Sequence, residues 1–243
     1  PNNITYNNLT VGTSSSTGTY NLGTGNVIGG TLTITGSSGT NTLDISNKTL
    51  SLSATGTPLV INGETLVTTG STITFNGGSQ TISALTYNNL NIASSNAVLG
   101  GGDLEVADLT ISSAALNAAT NNPNITISGN LVINSGVTYS PGSGTTTLSG
   151  ASKNITDSNG TKQNLGTVSV SGSYALQSST LMTSLAGAGS LNLGAHMLTL
   201  TGTGTPLGIS TLTAGTNSTV VYAGNGAVTV SSAPSYYNLT LAP

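Results

Sequence analysis

The tract Leu43–Leu59, LDISNKTLSLSATGTPL, returns without a gap at Leu191–Leu207 as LNLGAHMLTLTGTGTPL. A chain that repeats itself over this length is built from stacked or strung copies of one unit. Further markers give the phase. YNNL occurs at Tyr6–Leu9 and Tyr87–Leu90, degenerates to KQNL ending at Leu165, and returns as YYNL ending at Leu239, so that successive leucines are 81, 75 and 74 apart. TITFNGGSQTI (Thr72–Ile82), TTTLSGASKNI (Thr145–Ile155) and TVVYAGNGAVTV (Thr219–Val230) align, and their central Phe75, Leu148 and Tyr222 are 73 and 74 apart. PLVIN (Pro58–Asn62), NLVIN (Asn130–Asn134) and PLGIS (Pro206–Ser210) follow the same order, as do the runs starting at Leu43, Leu116 and Leu191. One such spacing is the repeat unit. The chain holds about three of them, the first longer between Leu9 and Leu43.

Within each copy, apolar and hydroxyl side chains alternate. TLTIT (Thr31–Thr35), TLSLS (Thr49–Ser53), STITF (Ser71–Phe75), NITIS (Asn124–Ser128), TVSVS (Thr167–Ser171) and MLTLT (Met197–Thr201) each put aliphatic groups on one face. That is the period of a half-buried strand, and Thr suits its exposed side. Gly, Asn, Ser and Pro punctuate the runs as turn chemistry requires. No tract keeps a helical period; Ala114–Thr120 comes nearest and is too short.

Charge is scarce. Three Lys (Lys48, Lys153, Lys162), six acidic residues and no Arg give 4% charged residues, against roughly 25% in ordinary globular chains. Low charge with abundant Ser, Thr and Gly could describe a disordered linker, but the regular alternation argues for a folded β protein. The net charge of −3, without a basic cluster, offers nothing to nucleic acid or to an anionic membrane surface. No apolar run approaches the length of a membrane span, and no secretory leader is legible at the start. The first residue, Pro1, reads as the start of a processed product or of an excerpt. Absent cysteine fits large disulfide-free repeat architectures. Low charge also removes one guard against self-association.

Two all-β architectures accommodate these runs. One is a right-handed parallel β-helix (a β-solenoid), in which three short strands make a coil and a repeat equals three coils. The alternative is a string of antiparallel β-sandwiches. A unit of this length is small for a sandwich, which typically needs about 100 residues. The chain also lacks the aromatic or disulfide core of small sandwiches, having no Trp, no Cys and one Phe. The β-helix is the expectation: a single continuous solenoid over 1–243, with repeats at approximately 1–84, 85–160 and 161–243. It would be a rod about 45 Å long at a strand spacing of 4.7–4.9 Å. YNNLTV opens it and YYNLTL closes it in nearly the same phase. No charged cap is visible, so flanking copies of the repeat or a second subunit are expected to cover the ends.

The order of YNNL tracts, GDLEVADLTI (Gly102–Ile111), LNLGAHMLTLTG (Leu191–Gly202) and Thr72–Leu90 resembles the tandem repeats of very large bacterial secreted adhesins and autotransporter-like surface proteins. The resemblance covers essentially the whole chain. It implies an extracellular or cell-surface β-solenoid acting as a stalk, filament or adhesive array, and names no ligand.

Candidate chemistry is sparse. His196, the sole His, falls in a turn whose counterpart in the first copy is Lys48. Asp103, Glu105 and Asp108 form the acidic cluster, and Asp103 with Glu105 on one strand face is the candidate calcium site. Lyases and hydrolases of this architecture need a strong base or a carboxylate pair; with no Arg and one acidic cluster, the chain reads as a non-enzyme with no cofactor. Tyr6, Tyr87, Tyr236 and Tyr237 recur at the repeat junction, either as packing or as assembly residues. Asn-x-Ser/Thr tripeptides follow from composition. The expected function is a structural rod, stalk or filament module that self-associates end to end. Adhesive binding of a glycan or other surface is the alternative, and ice binding by Thr-x-Thr faces (Thr31–Thr33, Thr199–Thr201, Thr211–Thr213) a lesser one.

Overall fold

The computed structural model describes residues 1–12, 17–36, 39–113 and 115–242. Among them there is no helix, and every strand pairing is parallel. Parallel strands joined by short turns can stack only by winding, and the chain forms a β-solenoid of about ten turns. The antiparallel sandwich alternative is excluded by that pairing. Of the tract nearest to helical, Ala114 lies outside the described residues and Ala115–Asn117 is a strand.

Each turn passes three sides. The first begins with Thr5–Tyr6 and continues upward through Asn26–Ile28, Thr49–Leu52 and Thr72–Phe75. It then runs through Thr86–Ile92, Leu104–Ile111, Leu131–Ile133, Lys153–Asp157, Ser173–Leu176, Ser184–Asn192 and Leu207–Thr213. Ten inter-strand steps at about 4.8 Å make a rod about 48 Å tall. The inward column of this side is Ile28, Leu52, Phe75, Ile92, Ile111 and Ile133, all buried. Alternation dictates this: each strand sends its aliphatics in and its hydroxyls out. Fully burying each such side chain stabilises by about 1.5–3 kcal/mol.

The second side carries two ladders. One is Leu9–Val11, Leu32–Ile34 and Leu59–Ile61. The other is Ser79–Ile82, Asn96–Leu99, Ala115–Asn117 and Thr138–Ser140, resumed by Thr180–Met182, Met197–Leu200, Thr219–Tyr222 and Asn238–Leu241. The third side runs from Gly18–Asn21 through Asn41–Asp44 to Thr65–Val67, then stops. It resumes at Thr86–Tyr87 and continues to Ile209.

The repeat is not three coils. Phe75 lies on the first side, its counterpart Leu148 on the third and Tyr222 on the second. Leu59, Leu131 and Leu207 lie on the second, first and third; Leu43, Leu116 and Leu191 on the third, second and first. By these three markers each repeat winds three and two-thirds turns and steps back by one side. Turn width varies as well. A third of the repeat period, the width expected of every coil, is matched only by the widest turns, such as Ile133 to Asp157. Phe75 to Ile92 and Tyr174 to Leu191 each advance the numbering by just 17. Three repeats close on eleven whole turns, so Leu9 and Leu239 share the second side.

Polar ladders tie the turns together outside the core. Asp108 Oδ1 accepts from Asn130 N at 2.6 Å and from its Nδ2 at 3.0 Å. Asn130 Oδ1 accepts from Asn154 N at 3.0 Å, and Asn154 Oδ1 from Gln177 Nε2 at 2.9 Å. Each neutral bond of this kind contributes about 1 kcal/mol.

Between the third and first sides the chain turns on a stack of glycines, Gly129, Gly150, Gly172 and Gly189. A Cβ on Gly172 would collide with the carbonyl oxygen of Gly150, and one on Gly189 with that of Gly172. Tyr174 fills this corner from inside: its phenol reaches Ile127 O at 2.8 Å and Gly129 O at 3.0 Å. Backbone meets backbone here, so relief requires the turns to separate. Gly172→Ala is expected to destabilise the fold by about 1–3 kcal/mol, read as a lower urea midpoint with unchanged slope. A midpoint equal to wild type would show that the corner can open freely.

Candidate functional site

The outward carboxylates of the acidic cluster serve neighbouring turns. Asp103 Oδ1 accepts from Asn124 N and Nδ2 in the turn above, at 3.1 and 3.2 Å. Glu105 Oε2 accepts from Thr86 Oγ1 in the turn below, at 3.0 Å. The two carboxylates of the calcium candidate are thus engaged in opposite axial directions, and Asp108 holds Asn130. Among the described residues no group of three His, Cys, Asp or Glu converges. His196 is half-buried in a turn, its backbone N–H donating to Leu193 O at 3.0 Å.

The tyrosines of the repeat junction meet different fates. Tyr87 is inside the rod, 2% exposed, edge-on to Phe75 with ring centroids 6.2 Å apart. Its hydroxyl donates to Ser83 O at 2.9 Å, and burial pushes its ionisation well above the ordinary phenol range. Tyr6 is half-buried on the first strand of the rod. Tyr236 is half-buried beside Tyr222: Tyr222 Oη donates to Tyr236 Oη at 2.9 Å, and Tyr236 Oη donates to Ser231 O at 2.6 Å. Burial, reinforced by Tyr222, raises its ionisation too. Tyr237 is 54% exposed.

The densest polar cluster is one that the acidic-cluster reading passes over. Asp157 occupies the inward column directly above Ile133 and is 1% exposed. Its Oδ1 accepts from Asn159 N at 2.9 Å and Nδ2 at 2.8 Å, and its Oδ2 from Gln163 N at 2.6 Å. Lys162 Nζ donates to Asp157 O at 2.7 Å and also to Asn159 O. The loop then reaches down: Asn159 Oδ1 accepts from Gly136 N at 2.8 Å and Gln163 Oε1 from Tyr139 N at 3.0 Å. On the second side, among the described residues, no strand stacks on Thr138–Ser140 from above. Side-chain amides held by Asp157 take the place of that strand. The sequence did signal this, because NITDSNG puts Asp157 in the same parity as Ile155. A carboxylate whose oxygens are occupied by three donors is a structural knot rather than a reactive group.

Apolar surface collects at the two ends of the described rod. The exposed large apolar side chains are Ile4 and Tyr20 in the first turn, Tyr237, Leu239 and Leu241 in the last, and Met197 in between. Among the described residues, Thr5–Tyr6 has no strand below it and Asn238–Leu241 none above it. The Thr-x-Thr tracts do not form one rank: Thr33 and Thr199 lie on the second side, in separate ladders, and Thr211–Thr213 on the first.

No protein-family model, no curated protein and no solved structure matches this chain.

Proposed function

We propose that this β-solenoid is a structural repeat module of an extracellular bacterial surface protein, a rod segment that extends by end-to-end stacking of like turns. The observation that carries the reading is the first side: among the described residues, eleven strands in one unbroken ladder, with side-chain bonds such as Asp108–Asn130–Asn154–Gln177 running from turn to turn beside it. The ends support it. Among the described residues, Thr5–Tyr6 and Asn238–Leu241 each keep one open edge, and most of the exposed large apolar side chains lie in the same two turns. A net charge of −3 over the whole chain puts little repulsion between copies. The eleven-turn closure supplies a register, because a copy stacked on the last turn meets a strand of the same sequence type on the same side, Leu9–Val11 against Asn238–Leu241.

Electron microscopy of concentrated protein tests the reading. Fibres are expected with an axial repeat of about 58 Å, the eleven steps from Leu9 to Leu239 and one more across the contact, at about 4.8 Å each. Single particles of one length at every concentration would defeat end-to-end stacking.

A further inference from the structure

Among the described residues, three large aliphatic side chains away from both ends of the rod are packed on the core yet only partly buried: Ile61, Leu66 and Leu85. Ile61 and Leu66 stand on successive strands of a wide turn, and Leu85 on the narrow turn that follows. The numbering advances by 23 from Leu52 to Phe75 and by just 17 from there to Ile92. The narrow turn reaches the second side over Gly56, through the Gly56–Gln80 bridge, and cuts the corner beyond it. Leu59–Ile61 and Thr65–Val67 are left as a ledge, paired below and, among the described residues, unpaired above. Two side-chain bonds join the turns here: Ser83 Oγ of the narrow turn donates to Leu59 O at 2.7 Å, and Thr68 Oγ1 of the wide turn donates to Thr86 O at 3.2 Å. The wall continues upward as a groove lined by Thr68, Thr86, Asn88, Glu105, Thr126 and Ser128.

The chain itself shows what such a step requires. At the other interrupted ladder, above Thr138–Ser140, the Asp157 loop supplies amide acceptors to Gly136 and Tyr139. Among the described residues no comparable side-chain bond reaches the backbone of Thr65–Val67 from the turn above, whose bonds go to Leu59 and Thr68 on either side of it. We infer that the ledge is a strand-addition site, which takes an extended peptide segment of another polypeptide, parallel to Thr65–Val67, with aliphatic residues alternating with Ser or Thr. A strand satisfies both deficits of the ledge at once. Its backbone pairs with the open edge, and its inward aliphatic side chain covers Leu66 and Leu85. A glycan would leave the aliphatics uncovered, and a lipid chain would leave the backbone unpaired. The site is internal and does not depend on the rod stacking end to end.

The test uses a synthetic peptide of the sequence Thr40–Asn47, TNTLDISN, because Asn41–Asp44 already stacks on this strand from below with Leu43 under Leu66. A photo-crosslinking residue replaces Ser46 of the peptide. Cross-links to the intact chain are expected within residues 59–69 and 83–86, and the peptide with Leu43→Pro is expected to bind at least about tenfold more weakly. Leu66→Lys in the protein should weaken capture as much. Cross-links confined to the terminal turns, equal capture of the proline peptide, or no capture at about 1 mM would each overturn the proposal. The cross-link map of the unaltered protein decides even if Leu66→Lys fails to fold.

Discussion

Asp157→Ala is expected to cost about 3–5 kcal/mol of stability, the sum of a few buried donors left without an acceptor. Removing the carboxylate strands Asn159 N, Asn159 Nδ2 and Gln163 N. The loop then loses the geometry that delivers Asn159 Oδ1 to Gly136 and Gln163 Oε1 to Tyr139. A cavity also opens in the inward column above Ile133. Asp157→Asn keeps one acceptor oxygen and should fall between alanine and wild type. The measurement is the urea midpoint of each variant, with amide exchange at Gly136 and Tyr139 as the local readout. Those two amides should lose protection in the alanine variant beyond the global change. If Asp157→Ala unfolds within about 0.5 kcal/mol of wild type, the variation of an ordinary surface substitution, the loop does not seal the ladder.

The strands and their stacking were legible because both rest on local rules. Alternation of aliphatic and hydroxyl groups in TLSLS or TITF fixes which side chains go in, and any side of the solenoid can receive that pattern. For the same reason the cross-section was not legible. Phe75, Leu148 and Tyr222 are equivalent in sequence but occupy three different sides. Nothing in their surroundings marks a side, since every side presents the same aliphatic column. Turn width is equally silent: Gly, Asn and Ser punctuate the narrow and the wide turns alike. The ledge therefore becomes visible only when the partner of each strand is known. Asp157 is the converse case. Its inward parity was legible, but a carboxylate in an aliphatic column reads as an error until the three donors around it are seen.

The rotation has a consequence for Tyr87. It belongs to the same motif as Tyr6 and Tyr236, yet it is enclosed by turns above and below. The motif is a packing position in the middle of the rod and a surface at the ends. A chain that continued in either direction would bury Tyr6 and Tyr236 as Tyr87 is buried now. The junction residues and the core residues are one set, separated only by what stacks on them.

Alkaline pH should unfold the rod where mild acid does not. Tyr87 and Tyr139 are both buried, and burial holds their phenols neutral: Tyr139 is pushed up to about 12, Thr146 offsetting part of the shift, and Tyr87 lies higher. Burial raises Tyr174 as well, against the opposing pull of the Gly150 N–H. In the unfolded chain a phenol ionises near 10. The stability carried by the neutral phenols is therefore complete below about pH 10 and drains away as the pH climbs toward each folded value. Each such group gives up about 1.4 kcal/mol per pH unit. Tyr87 and Tyr139 together remove about 5 kcal/mol by pH 12, comparable to the whole stability of many domains. Circular dichroism should show a cooperative loss of β structure between about pH 10 and 12, with phenolate absorbance rising in the same step. Tyr87→Phe should move that step to higher pH, although it forfeits the bond to Ser83 O at a cost of about 1 kcal/mol. On the acid side Asp44 is held below the ordinary carboxylate range by Ser46, so its contribution is present above that range and lost as the pH falls through it. Asp44 lies on the outward face of its strand, and the β signal should persist into mild acid. Phenolate absorbance that rises fully near pH 10 while the β signal stays intact would mean that the tyrosines are open to water and the core is not closed around them.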